Sequence, residues 1–184
     1  MIIVLKPGVD EAAIPAGMAD HHQVIARYDQ PLGEANSLFI SAHPPDDHSR
    51  APRGQRALTI STHTGAERWW RWRADDPARY REEKAAMAER MLDTATLALP
   101  RLRAHIRYMQ AGTPWSFARY TSRHYGMVGG LPQRLANSGL LSLGPRAAGV
   151  GGFWLVGDSA FPGQSTAAVT QGAIRVYQAI RRGG

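Results

Sequence analysis

Residues 151–172 read GGFWLVGDSAFPGQSTAAVTQG, and this stretch decides how the rest of the chain is interpreted. Its apolar residues 153–156 predict a short strand, and the glycine and aspartate that follow predict a turn. Pro162 and Gly163 keep the next residues from becoming helical, and the Gln-Ser-Thr after them supplies capping groups for a helix that begins near Thr166. The stretch therefore predicts a strand, a loop and a helix in immediate succession.

A strand, an acid, a loop and a helix in this order are typical of one half of a nucleotide or flavin site. The start of a helix has unpaired amides and a partial positive charge, so it can hold an anionic or electron-rich ligand. Asp158, at the end of the predicted strand, would accept hydrogen bonds from ligand hydroxyls. The alternative is a plain strand, loop and helix in which Asp158 is only a turn residue.

Composition indicates one sizeable globular chain. The 184 residues are 43% hydrophobic, and no apolar run approaches the length of about 18 residues that a membrane-spanning helix needs. The start of the sequence lacks the features of a signal peptide and reads as a strand. With no cysteine, disulfide and thiolate chemistry are excluded. We therefore expect a cytoplasmic location, with peripheral contact to a membrane as a further expectation.

The chain is basic, with 22 Lys and Arg against 15 Asp and Glu and a net charge of +7. The basic residues form no block of five or six, which favours a solvated basic surface over an anionic membrane surface, and both over nucleic acid. Residues 68–73 read RWWRWR and could stack on bases or lie at a membrane interface. We favour the interpretation that one or two of these tryptophans pack on the core. No nucleic-acid partner is predicted.

The remaining chain predicts an antiparallel sheet with a covering helix. Short apolar or β-branched runs bounded by turn residues predict strands at residues 2–5, 21–28, 37–42, 57–64 and 106–110. Asp76 and Pro77 are suited to the cap and first position of a long helix that Pro100 ends, and its apolar face is expected on the sheet. Residues 112–126 are predicted to form a long functional loop.

Other chemistry is only weakly indicated. His43, His48 and His63 lack the tight spacing of metal ligands, so no metal site is predicted. Ser159 is not in the Gly-x-Ser-x-Gly pattern of a hydrolase nucleophile. No catalytic acid, base or nucleophile is assigned.

Residues 153–165, FWLVGDSAFPGQS, resemble the C-terminal flavin-contacting motif of the phytoene desaturase family. Members of this family are FAD-dependent carotenoid desaturases and isomerases, related in fold to amine oxidases. Residues 112–130, with the pattern GTP…FxRYTxR…G…GG, are similar to the family's preceding loop, and residues 36–41 and 49–54 resemble its substrate-domain sheet. Residues 161–165, with residues 58–64, look most like the C-3',4' carotenoid desaturase branch.

The resemblance implies an α/β (α+β) chain with a partial FAD-dependent amine-oxidase-like fold. Residues 1–148 would be a substrate-domain portion, and residues 149–184 a C-terminal FAD-contacting strand, loop and helix. The family's N-terminal Rossmann unit, whose GxGxxG binds the FAD pyrophosphate, has no counterpart in the sequence. We therefore expect a truncated gene, a split subunit or an inactive remnant. Catalysis by this chain alone is left undecided, and the alternative function is a non-catalytic lipid- or membrane-surface-binding module.

Carried over residue by residue, the resemblance implies nine contacts to FAD. Asp158 would accept a hydrogen bond from a ribityl hydroxyl, and the amides of residues 165–168 would face the oxygen edge of the flavin ring. Tyr120 and Arg123 would lie near the substrate cavity. The expected partners are an apolar polyene, a separate N-terminal FAD-binding chain and a membrane surface. The nine residues are Gly157, Asp158, Ser159, Gly163, Gln164, Ser165, Thr166, Ala167 and Ala168.

Overall fold

The chain forms two compact units, which we call unit 1 (Met1–Met127) and unit 2 (Val128–Gly184). The computed structural model describes residues 1–130, 144–146 and 150–183. The predicted boundary at residues 148 and 149 falls on residues outside these ranges. The assignment of the two predicted parts to substrate and cofactor therefore stays a prediction.

Unit 1 contains the predicted antiparallel sheet. Its five strands lie in the order β2-β3-β4-β1-β5, and every neighbouring pair is antiparallel. Four of the five strands begin at the predicted residue, β4 begins two residues earlier than predicted, and β3 has the predicted bounds. The strands are β1 (Ile2–Asp10), β2 (His21–Ile25), β3 (Ser37–Ala42), β4 (Gln55–His63) and β5 (Ile106–Gly112).

The prediction that β1 stops before Pro7 is wrong. The ladder between β1 and β4 pairs Leu5 with Ile60 and resumes where Gly8 pairs with Ala57. Proline has no amide hydrogen to donate, so it interrupts the ladder locally without ending the strand. The strand continues because the Val9 side chain is fully buried in the core, and burial of this apolar side chain stabilises the strand beyond the interruption.

The long helix covers one face of the sheet, as predicted. Helix α2 (Pro77–Ala95) begins with Pro77 in its first turn, and the Asp76 side chain accepts a hydrogen bond from the Arg79 amide at 3.0 Å. Met87 and Met91 are buried against the sheet in the hydrophobic core. The helix ends at Ala95, earlier than predicted, and the following residues continue as turns.

Two further helices in unit 1 were not predicted. Helix α1 (Ala66–Asp75) contains the Arg/Trp stretch, and helix α3 (Pro114–Thr121) lies within the predicted loop. The side chains of Thr113 and Ser116 form a reciprocal capping box at the start of α3. The prediction of a loop over residues 112–126 is therefore wrong for residues 114–121, because Pro114 and the capping box start a helix at that point.

Unit 2 contains the predicted C-terminal helix, α4 (Thr166–Arg181). The Ser165 hydroxyl accepts a hydrogen bond from the Ala168 amide at 3.1 Å and caps the helix as predicted. The predicted strand at residues 153–156 is not formed. In the described part of unit 2, these residues form only one isolated antiparallel bridge, between Arg146 and Trp154. A strand needs a partner along its length, and one bridged pair supplies too few hydrogen bonds to define one.

Candidate functional site

The loop before α4 consists of two tight turns. The Ala160 amide donates to the carbonyl of Gly157 at 3.3 Å, and the Gly163 amide donates to the carbonyl of Ala160 at 2.8 Å. Gly157 and Gly163 have φ of 133° and 99°, values that side chains disfavour and glycine tolerates. These glycines therefore permit the two turns that connect residue 156 to the start of α4.

The start of α4 has the polarity expected of an anion-binding or ring-edge-binding site. Ser165 has φ of 126°, and its side chain satisfies the Ala168 amide. The first turn of α4 contains no acidic residue, so nothing within the helix neutralises its positive end. Thr166 and Ala167 are exposed at this end.

Gly129 and Gly130 pack directly behind this loop, a role that the sequence did not reveal. A Cβ atom on Gly130 would overlap the carbonyl of Asp158, and one on Gly129 would overlap the side-chain amide of Gln164. The absence of a side chain at Gly130 allows the two backbone segments to approach, whereas a Cβ on Gly129 would meet only the flexible Gln164 side chain. The glycine pair after the predicted loop is the signal that could have indicated such an approach.

The nine predicted flavin contacts lie close together because all of them fall within residues 157–168, in the loop and the first turn of α4. Gly163 is buried, and Asp158 is half-buried. On the open side of Gly157, an added Cβ would meet no described atom within 4 Å. The segment thus offers a carboxylate, small residues and helix-start amides on accessible backbone, and its contact with a flavin stays a prediction.

The two predicted substrate residues lie in unit 1. Tyr120 is on the last turn of α3 and is 77% exposed, with the Arg119 guanidinium 5.8 Å from its ring centroid. Arg123 follows the helix and is exposed. Their role in binding substrate stays a prediction.

The expectation that the Arg/Trp stretch packs on the core is confirmed. Trp69 is 1% exposed, and its indole nitrogen donates to the Thr64 hydroxyl at 2.9 Å. Trp72 is partly buried against the core and contacts Trp69 edge-to-face at 5.3 Å between ring centroids. Arg68 forms an ion pair with Glu34. Trp69 therefore cannot stack on bases or enter a membrane interface without unfolding the core.

A titratable cluster lies at the end of β1, away from the loop in sequence. The Arg107 guanidinium donates to the Asp10 carboxylate at 2.9 Å, and the His105 ring lies 3.3 Å from the same carboxylate. The hydrogen bond from Arg107 holds the pKa of Asp10 below its ordinary value, and the contact with His105 acts in the same direction.

Comparison with known proteins confirms the predicted relationship to the phytoene desaturase family. No family model matches the chain. Curated relatives do match, and they are carotenoid isomerases of that family, with 29–32% identity over 88% of this chain.

Three of these relatives are plant proteins. The chain is similar to a chloroplastic prolycopene isomerase of Arabidopsis thaliana, with 32% identity over 88% of this chain and 27% of the relative. The Daucus carota protein of the same name is 32% identical over 88% of this chain and 26% of the relative. Chloroplastic prolycopene isomerase 2 of an Oncidium hybrid cultivar is 29% identical over 88% of this chain and 27% of the relative. The chain thus spans about a quarter of the length of the relatives it matches.

The match to these isomerases does not test the finer prediction of the C-3',4' desaturase branch. Within the described residues, no helix is long and apolar enough to cross a membrane.

Proposed function

We propose that this chain forms part of a flavin-dependent protein that acts on a carotenoid-type polyene. The single observation that carries the proposal is the loop before α4. It places Asp158 a few residues before a helix whose first turn contains no acidic residue, within a sequence related to prolycopene isomerases. The amine-oxidase-like fold of the complete protein is part of the same proposal.

The residues present fit the ribityl and ring-edge part of FAD. Among the described residues no atom lies within 4 Å of a Cβ built on Gly157, which leaves room for a ligand beside the backbone, and the exposed start of α4 offers amides to an electron-rich group. Asp158 would hold a ribityl hydroxyl, and the amides of residues 165–167 would hold the oxygen edge of the ring. The Ala168 amide already donates to the Ser165 hydroxyl. FAD, when bound, supplies the redox chemistry, and the protein orients it and the substrate.

The pyrophosphate of FAD requires residues other than these. The 184 residues contain no GxGxxG motif, and residues 149–152, which read GVGG, do not have its spacing. We propose that a segment or chain bearing GxGxxG completes the cofactor site. The sheet of unit 1 would contribute to the substrate side, with Tyr120 and Arg123 near the polyene.

The relatives favour isomerisation over desaturation as the reaction. Their names state isomerase activity on prolycopene, a polyene, and the C-3',4' desaturase interpretation rests on short motifs only. The names also place the relatives in chloroplasts, whereas the cytoplasmic location of this chain stays a prediction. An apolar polyene is the substrate class that we propose.

Flavin retention tests the cofactor proposal. The chain is co-expressed with a partner bearing GxGxxG, and FAD in the purified complex is measured by absorbance and fluorescence. We expect bound FAD, and we expect Asp158→Ala to weaken binding by about 10-fold or more because a charge-assisted hydrogen bond is lost. Asp46→Ala, at an exposed carboxylate in unit 1, is the matched control.

Polyene turnover is measured separately on the same complex by chromatography of the isomers. A complex that retains no FAD, or one in which Asp158→Ala and Asp46→Ala bind FAD equally well, contradicts the cofactor role. A complex that holds FAD but leaves a cis polyene unchanged contradicts the isomerase proposal alone.

A further inference from the structure

A groove in unit 1 combines aromatic side chains with clustered positive charge. We call it the β5–α3 groove; it has a volume of about 650 Å³ and is lined by β1, β5, α3 and the beginning of α2. Its apolar and aromatic lining includes Val4, Trp115 and Phe117. Val4 is buried at the base of the groove, whereas Trp115 and Phe117 are half-buried.

The charge of the groove is unbalanced. The chain contains two lysines, Lys6 and Lys84, and both line the groove together with Arg119. No Asp or Glu is among the described residues of the lining. Three cations around one groove repel one another, and an anionic ligand would relieve that repulsion.

Trp115 contacts two guanidinium groups, one of which, that of Arg119, lines the groove. The guanidinium groups of Arg73 and Arg119 lie 4.7 and 5.7 Å from its ring centroid. Arg119 also lies 5.8 Å from the ring centroid of Tyr120. Cation–π contacts of this kind hold a guanidinium at the edge of an apolar surface while its charge remains available to a ligand.

The rim of the groove carries exposed aromatic and apolar side chains. Tyr120 is 77% exposed, and Met109, on the edge strand β5, is 36% exposed. Tyrosine and tryptophan beside lysine and arginine are the side chains that proteins place at the boundary between lipid headgroups and acyl chains. The combination matches a ligand with an anionic head and an apolar tail.

We propose that the β5–α3 groove binds an anionic phospholipid of a membrane surface. Lys6, Lys84 and Arg119 contact the headgroup phosphate, and the aromatic lining contacts the beginning of the acyl chain. The groove lies entirely in unit 1, so lipid binding there does not depend on a flavin contact in unit 2. It also replaces the Arg/Trp stretch as the membrane-contacting surface, because Trp69 is buried.

Amine acetylation with mass spectrometry tests the site directly, since the lysines of the chain lie only in the groove. The full chain is labelled with phosphatidylcholine vesicles, with vesicles containing phosphatidylglycerol, and without vesicles. We expect the anionic vesicles to protect Lys6 and Lys84, and the amino group of Met1, which does not line the groove, to react as it does without vesicles. Equal protection of Met1 and the lysines, or no protection, overturns the proposal.

Vesicle co-sedimentation supplies a second readout. We expect the double variant Lys6→Gln/Lys84→Gln to bind anionic vesicles about 10- to 30-fold more weakly, given the usual attraction of each basic residue to anionic lipid. The control Arg50→Gln/Arg53→Gln removes the same charge from the exposed turn before β4 and should change binding by no more than about threefold. Equal losses in the two double variants overturn the proposal. Protection of the lysines by a carotenoid in phosphatidylcholine vesicles, with none by anionic lipid, also overturns it and identifies the groove as a polyene site.

Discussion

Replacing Gly130 by alanine tests whether the close contact of Gly130 with the backbone of Asp158 and Ser159 stabilises the loop before α4. The added Cβ would overlap the peptide between Asp158 and Ser159, which is backbone and cannot rotate away. Restoring an ordinary contact of about 3.5–4.0 Å requires one of the two segments to move by more than an ångström. We expect Gly130→Ala to destabilise the loop by about 1–3 kcal/mol, the usual cost of overpacking.

The same displacement should weaken FAD binding, because it moves Asp158. If the carboxylate of Asp158 is displaced from its ligand, a charge-assisted hydrogen bond of about 1.5–3 kcal/mol is lost, which corresponds to about 10- to 150-fold weaker FAD binding. The assay is amide hydrogen exchange over residues 157–168, together with FAD titration of the complex with the GxGxxG-bearing partner.

Gly129→Ala is the matched control because it adds the same methyl group one residue earlier. Its Cβ would overlap only the end of the Gln164 side chain, which can change rotamer. We expect a cost below about 1 kcal/mol and little change in hydrogen exchange. If Gly130→Ala leaves hydrogen exchange and FAD binding as little changed as Gly129→Ala does, the close backbone contact of Gly130 with residues 158 and 159 is refuted.

Three further substitutions test the fold. Tyr80→Phe removes the 2.7 Å hydrogen bond to the fully buried Thr113 and should lower the free energy of unfolding by about 1 kcal/mol in urea titrations; an unchanged midpoint would contradict this role. Because Arg107 lowers the pKa of Asp10, the carboxylate stabilises the fold above about pH 4 and loses this effect as the pH falls through the lowered pKa. Wild type should therefore lose more stability on acidification than Asp10→Asn, and identical pH profiles would contradict the linkage. In Gly172→Ala the new Cβ would lie 3.5 Å from the Pro162 Cδ atom, an ordinary contact, so helix propensity should raise the melting temperature, and a decrease would show that the position is overpacked.

The sheet of unit 1 could be predicted because its strands are local and bounded by turn residues. The five strands were found, and α2 was found from its cap and its apolar periodicity. The course of β1 past Pro7 could not be predicted, because only the neighbouring strands show that the core extends to Val9. Local propensity was overridden by tertiary burial.

Helices α1 and α3 were missed because composition obscured their pattern. Alternating arginine and tryptophan conceal which side chains face inward, and only the fold shows that Trp69 is buried while Arg71 is exposed. In α3, Ser116 takes the place that Glu or Gln usually has in a capping box, so the helix start was read as a loop.

The candidate site could be predicted as far as it is local. Residues 157–168 are contiguous, so the turn at Gly157 and the Ser165 cap followed from residue types. The strand predicted before them has only one bridged pair in the described part of unit 2. An apolar run does not show whether a neighbouring strand pairs with it along its length. The support from Gly130 is also a long-range contact, which a single sequence does not reveal.

The central claim is that the start of α4 and Asp158 contact a flavin. Amide hydrogen exchange of the complex with the GxGxxG-bearing partner, measured with and without FAD, tests this claim most directly. We predict that FAD slows exchange at residues 165–167 and that Asp158→Ala reduces this protection. The Ala168 amide already donates to the Ser165 hydroxyl, so it serves as an internal reference. Exchange at residues 165–167 that is unaffected by FAD, in a complex that demonstrably binds it, would contradict the claim.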